Sequence, residues 1–161
     1  MNFEFSEKTK KALLRSGWFE NRQVNLEVEP MFIRLVSEFA LFDVAKQFLQ
    51  HFYQIVVTPN AEETANEKQG ARVNFDPNTA IGESDRLDDW ETMANEKLFP
   101  IGEFIYFFIL ISESGKIYLG EPELIHFIAA NVQDGLEKLI AFQSEIHLVY
   151  PKTVPLESSI T

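Results

Sequence analysis

Leu98-Phe-Pro-Ile-Gly-Glu-Phe-Ile-Tyr-Phe-Phe-Ile-Leu-Ile-Ser-Glu-Ser-Gly-Lys-Ile-Tyr-Leu-Gly120 is the stretch that decides the fold. Eight consecutive apolar residues, 104–111, form a run typical of a buried β-strand and too short to span a membrane. Because this run has no polar face, we expect a strand that is covered on both sides. A polar turn at 112–115 separates it from a second strand at 116–119. The stretch therefore predicts a central β-hairpin, and it contains no nucleophile, metal-ligand or phosphate-binding pattern.

The sequence on either side of the hairpin predicts several helices and short strands. Ser6 is a suitable N-cap, Gly17 a suitable helix stop and Pro30 a suitable first-turn residue. Apolar spacing and these end signals predict helices at 6–16, 26–40, 44–52 (with Asp43 as its N-cap), 86–95, 122–130 and 132–142. Short strands are predicted at 53–58 and 72–75, a polar loop at 60–71, and a C-terminal extension at 143–161 that is either partly disordered or packed across the body.

Composition limits the classes of function. The chain has 161 residues, no cysteine and a net charge of −11, so disulfides, thiol catalysis and zinc–thiolate sites are excluded. The N-terminus has no apolar segment of the signal-peptide type, and we expect a cytoplasmic protein. The excess negative charge is concentrated, since residues 60–96 contain ten acidic and three basic side chains, a net charge of −7. This charge predicts a basic protein partner rather than nucleic acid or an anionic membrane.

Candidate catalytic and metal-binding patterns are weak. The three histidines lie in separate segments without ligand spacing; we expect His51 to be packed and His126 to be solvated. Asp85 and Asp89 are spaced as a helical carboxylate pair, but the glycine and alternation of a calcium loop are missing around them. Trp90 shares a helical face with apolar neighbours, which predicts burial. We therefore expect no catalytic residue, no metal site and no cofactor.

Three separated motifs carry a resemblance to a known family. They are Leu13-Leu-Arg-Ser-Gly-Trp-Phe-Glu-Asn-Arg22, the helix at 45–53 leading into Ile55-Val-Val, and Pro100-Ile-Gly-Glu103 followed by Ser114-Gly-Lys-Ile-Tyr118. In order and spacing they resemble the third subfamily of the SUKH superfamily of bacterial immunity proteins, over residues 5–142. The resemblance implies an α+β fold in which helices pack against a twisted mixed or antiparallel sheet, in a single domain at 1–142.

The resemblance also implies a function. A SUKH-like protein is expected to bind a cognate secreted toxin domain, often a nuclease or another nucleic-acid-modifying enzyme, and to block it without catalysis. We expect the partner-binding residues to be the acidic ones next to the hairpin: Glu83, Asp85, Asp88, Asp89 and Glu91. Residues of the motifs are expected to serve the fold: Trp18, Arg22, Gly102 and Glu103. Of these, Arg22 and Glu103 are predicted to pair with each other or with backbone near the hairpin.

Two alternatives remain open from the sequence. The first is a general interaction adaptor of the same fold, which a neighbouring toxin gene would disfavour. The second is a small carboxylate- or metal-dependent hydrolase, which a deep pocket lined by two carboxylates would favour.

Overall fold

Six strands form one antiparallel sheet in the order β1-β2-β3-β4-β5-β6 in the computed structural model, which describes residues 1–59 and 70–150. The strands are β1 (Val56–Val57), β2 (Val73–Asn74), β3 (Leu98–Phe104), β4 (Phe107–Ser112), β5 (Ile117–Glu121) and β6 (Leu124–Ala129). The helices are α1 (Glu7–Arg15), α2 (Pro30–Glu38), α3 (Asp43–Phe52), α4 (Ser84–Ala94) and α5 (Val132–Ile140), and short 3₁₀ turns lie at Leu26–Val28, Pro77–Ala80 and Gln143–Glu145. Helices packed against an antiparallel sheet confirm the predicted α+β class.

The central apolar run is divided between two strands instead of forming one. β3 already begins at Leu98 and ends at Phe104, and Phe104 pairs with Phe107 across a two-residue turn formed by Ile105 and Tyr106. The prediction of one strand at 104–111 was therefore wrong at its beginning. The turn carries no glycine or asparagine, so the usual sequence signal for a tight hairpin is missing there. The turn predicted at 112–115 is confirmed, since β4 ends at Ser112 and pairs with β5.

The segment 122–130 is a strand, so the helix predicted there was wrong. Pro122 and Glu123 form the turn between β5 and β6, and Glu123 has φ +68°. β6 then pairs with β5 along its whole length. Successive side chains of a strand point to opposite faces, and His126 accordingly lies inward with only 3% exposure, while Phe127 lies outward. The expectation of a solvated His126 was also wrong.

Most helix ends follow the local signals in the sequence. The Thr9 amide donates to the Ser6 side chain at 3.3 Å, and α2 begins at Pro30. The predicted helix at 26–40 is divided into a 3₁₀ turn and α2. The helix predicted at 44–52 is α3, but Asp43 is its first residue and not its N-cap, which is Phe42; the helix predicted at 132–142 is α5, which ends at Ile140. The predicted polar loop at 60–71 falls mainly on residues 60–69, outside the described part of the chain, as does most of the predicted extension at 143–161.

Helix α5 is held close to the sheet at Gly135. A Cβ atom at that position would lie 2.5 Å from Cγ1 of Ile117 on β5, which is far inside van der Waals contact. The sequence suggests only that this glycine weakens the helix; in the structure it permits close packing. Glu137 of α5 also accepts hydrogen bonds from the Ser6 amide, the Ser6 hydroxyl and the Thr9 hydroxyl, at 2.6–2.8 Å. These contacts join the N-terminal helix to the helix that follows the sheet.

Candidate functional site

The acidic segment near the hairpin forms helix α4, whose two sides have opposite character. Leu87 and Trp90 are buried, and the Trp90 indole N–H donates to the main-chain oxygen of Glu121 at 2.9 Å. Trp90 is 2% exposed, as its periodicity predicts. Asp85, Asp88 and Asp89 lie on the exposed side of the helix. Spacings of three and four residues place these carboxylates near one another on the helix surface.

The other two acidic residues predicted to bind a partner have contacts within the protein. Glu83 lies just before the helix, and its carboxylate is 3.1 Å from Nε of Arg86. Glu91 is half-buried and accepts a hydrogen bond of 3.0 Å from the amide of Leu98, where β3 begins. Substitution of Glu91 would therefore remove a hydrogen bond that holds the start of β3. We define the exposed acidic face of α4 as Asp85, Asp88 and Asp89. Substitutions on this face remove no such bond.

A groove borders this acidic face at Asp85 and Asp88. One depression of about 330 Å³ lies between α4 and the end of α2, and it is lined by residues of both helices and of the start of β3: Glu38, Phe39, Ala40, Ser84, Asp85, Leu87, Asp88, Glu91, Lys97 and Leu98. A second, of about 480 Å³, shares Asp88, Glu91 and Lys97 with the first and extends to Glu96. The groove is thus bordered by carboxylates from several elements, with Lys97 among them.

Two groove residues were not selected from the sequence. Glu96 lies within the acidic window, so charge counting alone could have included it. Glu38 is far away along the chain and reaches the groove because its carboxylate accepts the amide of Gly82, at 2.7 Å, in the segment that leads into α4. No pattern in the sequence indicates that contact.

Glu96 is held in its charged form. Burial raises the pKa of this carboxyl, but hydrogen bonds from Ser114 and Lys116 and the charge of Lys116 outweigh burial and keep its pKa below the ordinary value. The pKa of Tyr118 is raised above its ordinary value, mainly by burial and also by the nearby negative charge of Glu96. Glu96 is therefore ionised at one end of the groove, where it is paired with Lys116 at 3.3 Å.

The predicted pairing of Arg22 with Glu103 is wrong. The guanidinium of Arg22 instead donates to the main-chain oxygens of His51 and Tyr53, both at 2.9 Å, where α3 ends. His51 contributes in return, with its ring Nδ1 3.0 Å from the Arg22 carbonyl oxygen. Arg22 thus satisfies carbonyl groups that the end of a helix leaves without partners. His51 is half-buried in this contact, which agrees with a packed histidine.

The other motif residues lie in the interior or at strand contacts. Trp18 is buried and stacks on Phe52 of α3, with ring centroids 6.1 Å apart. Gly102 lies at an irregularity in the β3–β4 pairing, and a Cβ atom there would be 2.1 Å from the carbonyl oxygen of Asn74 on β2. Glu103 is half-buried and pairs with Asn74 on one side and Phe108 on the other.

Two further kinds of site are absent from residues 1–59 and 70–150. No group of three or more His, Cys, Asp or Glu side chains in them is arranged to hold a metal ion. No helix in the same ranges combines the length and the apolar character needed to cross a membrane. Buried His126 lies against Glu121, its Nε2 2.7 Å from the carboxylate, and has Phe107 and Tyr150 as aromatic neighbours.

Comparison with known proteins adds one finding. The family model described as SUKH-3 immunity protein matches residues 5–142, a range that contains all five helices and all four motif residues. Searches of curated proteins and of solved structures returned no significant match.

Proposed function

This chain belongs to the SUKH-3 immunity protein family, and we propose that it binds a cognate secreted toxin domain and neutralises it through the exposed acidic face of α4. The toxin we propose is a nuclease or another enzyme that modifies nucleic acid, and the site of action is the cytoplasm, where its substrates lie. The proposal assigns the protein a binding role and no catalytic step.

The exposure of Asp85, Asp88 and Asp89 along one side of a packed helix is the observation that carries the proposal. Enzymes that act on nucleic acid hold phosphates with lysine and arginine side chains, so their substrate clefts are positively charged. A rigid row of carboxylates matches such a cleft, and the net charge of −11 attracts it from a distance. Because Trp90 and Leu87 anchor the opposite side of the helix, the carboxylates are presented on a fixed support.

Two further features support an interface along the groove. Glu38 and Glu96 extend the negative surface beyond α4, at the two ends of the groove. Glu91 borders the same groove but also holds the start of β3, so a change there alters the fold as well as the surface. The test therefore leaves Glu91 and Glu83 unchanged.

The test compares two triple variants with equal changes in net charge. One is Asp85→Asn, Asp88→Asn, Asp89→Asn; the control is Glu7→Gln, Glu27→Gln, Glu113→Gln, which alters exposed carboxylates on other elements. Each is co-expressed with the cognate toxin domain, identified as the product of a neighbouring gene that is lethal without this protein, and Kd is measured by calorimetry with an inactivated form of that domain. We expect the α4 variant to lose growth protection and to bind about ten-fold or more weakly, since a single close interfacial charge pair contributes about 1.5 kcal/mol or more. Equal effects of the two variants would show that total charge, and not the α4 face, determines binding.

A further inference from the structure

The turn between β3 and β4 exposes two large apolar side chains side by side. Ile105 is 59% exposed and Tyr106 is 67% exposed, and they are the two central residues of the hairpin. Phe104 and Phe107, which flank them, are buried. The two exposed side chains therefore project from the end of the sheet, while the strands beneath them are anchored in the core.

Ile105 is in an unfavourable backbone conformation. Its φ is +59°, in the left-handed region that β-branched residues avoid because Cβ approaches the backbone too closely. A positive φ at the first central residue of a two-residue hairpin is a conformation for which glycine is the usual choice. Burial does not explain the isoleucine either, since most of its side chain is in contact with solvent. Strain of this kind is found where a side chain serves a function outside the fold.

The surroundings of the turn indicate the chemistry of a partner. Tyr150 of the C-terminal segment packs edge-on against His126, with ring centroids 5.0 Å apart, and is half exposed; its neighbour Val149 is 75% exposed. The β5–β6 turn lies at the same end of the sheet, because β4 pairs with β5 and β5 with β6 in antiparallel register. That turn carries the exposed Glu123, whereas the carboxylate of Glu121, which precedes the turn, contacts His126. An apolar centre with an exposed carboxylate beside it is complementary to an apolar pocket bordered by lysine or arginine.

We infer that Ile105 and Tyr106 are the apolar anchor of this protein in its complex with the toxin domain, inserting into a pocket on a positively charged surface. The inference rests on the proposed function and adds a second contact to it. The acidic face of α4 attracts the toxin and governs association, while the turn holds the complex and governs dissociation.

Replacement of Ile105 by glycine separates a structural role from a binding role. Because glycine adopts the positive φ without strain, Ile105→Gly should keep the melting temperature or raise it by about 2–4 °C. The same variant should bind the inactivated cognate toxin domain about ten-fold or more weakly, with the change in the dissociation rate measured by surface plasmon resonance. The second variant is Tyr106→Ser, which removes the aromatic ring and leaves the strained position, Ile105, unchanged. We expect it to weaken binding to a similar extent.

Gln54→Gly is the matched control. Gln54 is exposed and also has a positive φ, +61°, but it lies after α3 on another part of the surface. It should leave the dissociation rate unchanged. Unchanged dissociation rates for both Ile105→Gly and Tyr106→Ser would overturn the anchor while leaving the proposed function intact. Failure of the unaltered protein to bind the toxin domain would overturn both.

Discussion

Replacement of Gly102 by alanine should be among the most damaging single-methyl changes in this protein. The new Cβ would lie 2.1 Å from the Asn74 carbonyl oxygen and 2.9 Å from Cα of Phe75, whereas ordinary contacts begin near 3.4 Å. Both neighbours are backbone atoms, so no side chain can rotate out of the way. β2 would have to move by about 1 Å or more to reach van der Waals distance.

The magnitude follows from what that movement disturbs. β2 pairs with β1 on one side and β3 on the other, so its displacement weakens both ladders in addition to overpacking the site. Overpacking typically costs about 1–3 kcal/mol, and each weakened hydrogen bond adds about 0.5–1.5 kcal/mol. A loss of about 3–5 kcal/mol is therefore expected, which lowers the melting temperature by about 10 °C or more in a domain of this size.

Gly115→Ala provides the control for this experiment. Gly115 has φ +88°, but no atom lies within 4 Å of the position its Cβ would take. Alanine there meets only the backbone penalty of about 1–2 kcal/mol. Thermal unfolding followed by circular dichroism should show a much larger loss for Gly102→Ala than for Gly115→Ala. Equal losses would refute the reasoning, since they would mean that β2 does not approach Gly102 closely.

Two further substitutions test the contacts that join distant segments. Arg22→Lys should lower the free energy of unfolding, measured with urea, by about 2–3 kcal/mol. An ammonium group cannot replace the planar guanidinium that donates to two carbonyl oxygens at the end of α3. An unchanged free energy of unfolding would show that those bonds add nothing. Glu137→Gln should lower the free energy of unfolding by about 1–3 kcal/mol, since an amide replaces a carboxylate that accepts three hydrogen bonds from the start of α1. A hydrogen-exchange measurement showing α1 equally protected in the Glu137 variant would contradict that assignment.

The class of fold could be predicted correctly because most helices and strands form where the local sequence favours them. Ser6 caps α1, Pro30 starts α2, and the apolar spacing of α3 gives that helix a buried face. Each of these helices forms at the place that its local signal predicts. The apolar run at 104–111 correctly indicated a buried centre. Its division by Ile105 and Tyr106 could not be predicted, because an isoleucine at positive φ opposes the local preference and is imposed by the pairing of the flanking strands.

β6 shows the same limit. Pro122 is equally suited to a first helical turn and to a hairpin turn, and a short apolar segment fits either period. Only pairing with β5 decides in favour of a strand, and this choice moves His126 from the surface to the interior. In the same way, counting charges identified the acidic helix but could not distinguish Asp88, which is exposed, from Glu91. The carboxylate of Glu91 accepts a hydrogen bond from the first residue of β3.

The association rate with the toxin domain, measured by stopped flow across a range of ionic strength, tests the central claim most directly. The unaltered protein should associate faster at low salt and lose about ten-fold or more of that rate as salt is raised, because screening shortens the range of the attraction. The variant lacking the charges of Asp85, Asp88 and Asp89 should associate more slowly at low salt, with a weaker dependence of the rate on ionic strength. A variant that kept the rate and the steep salt dependence of the unaltered protein would contradict the account.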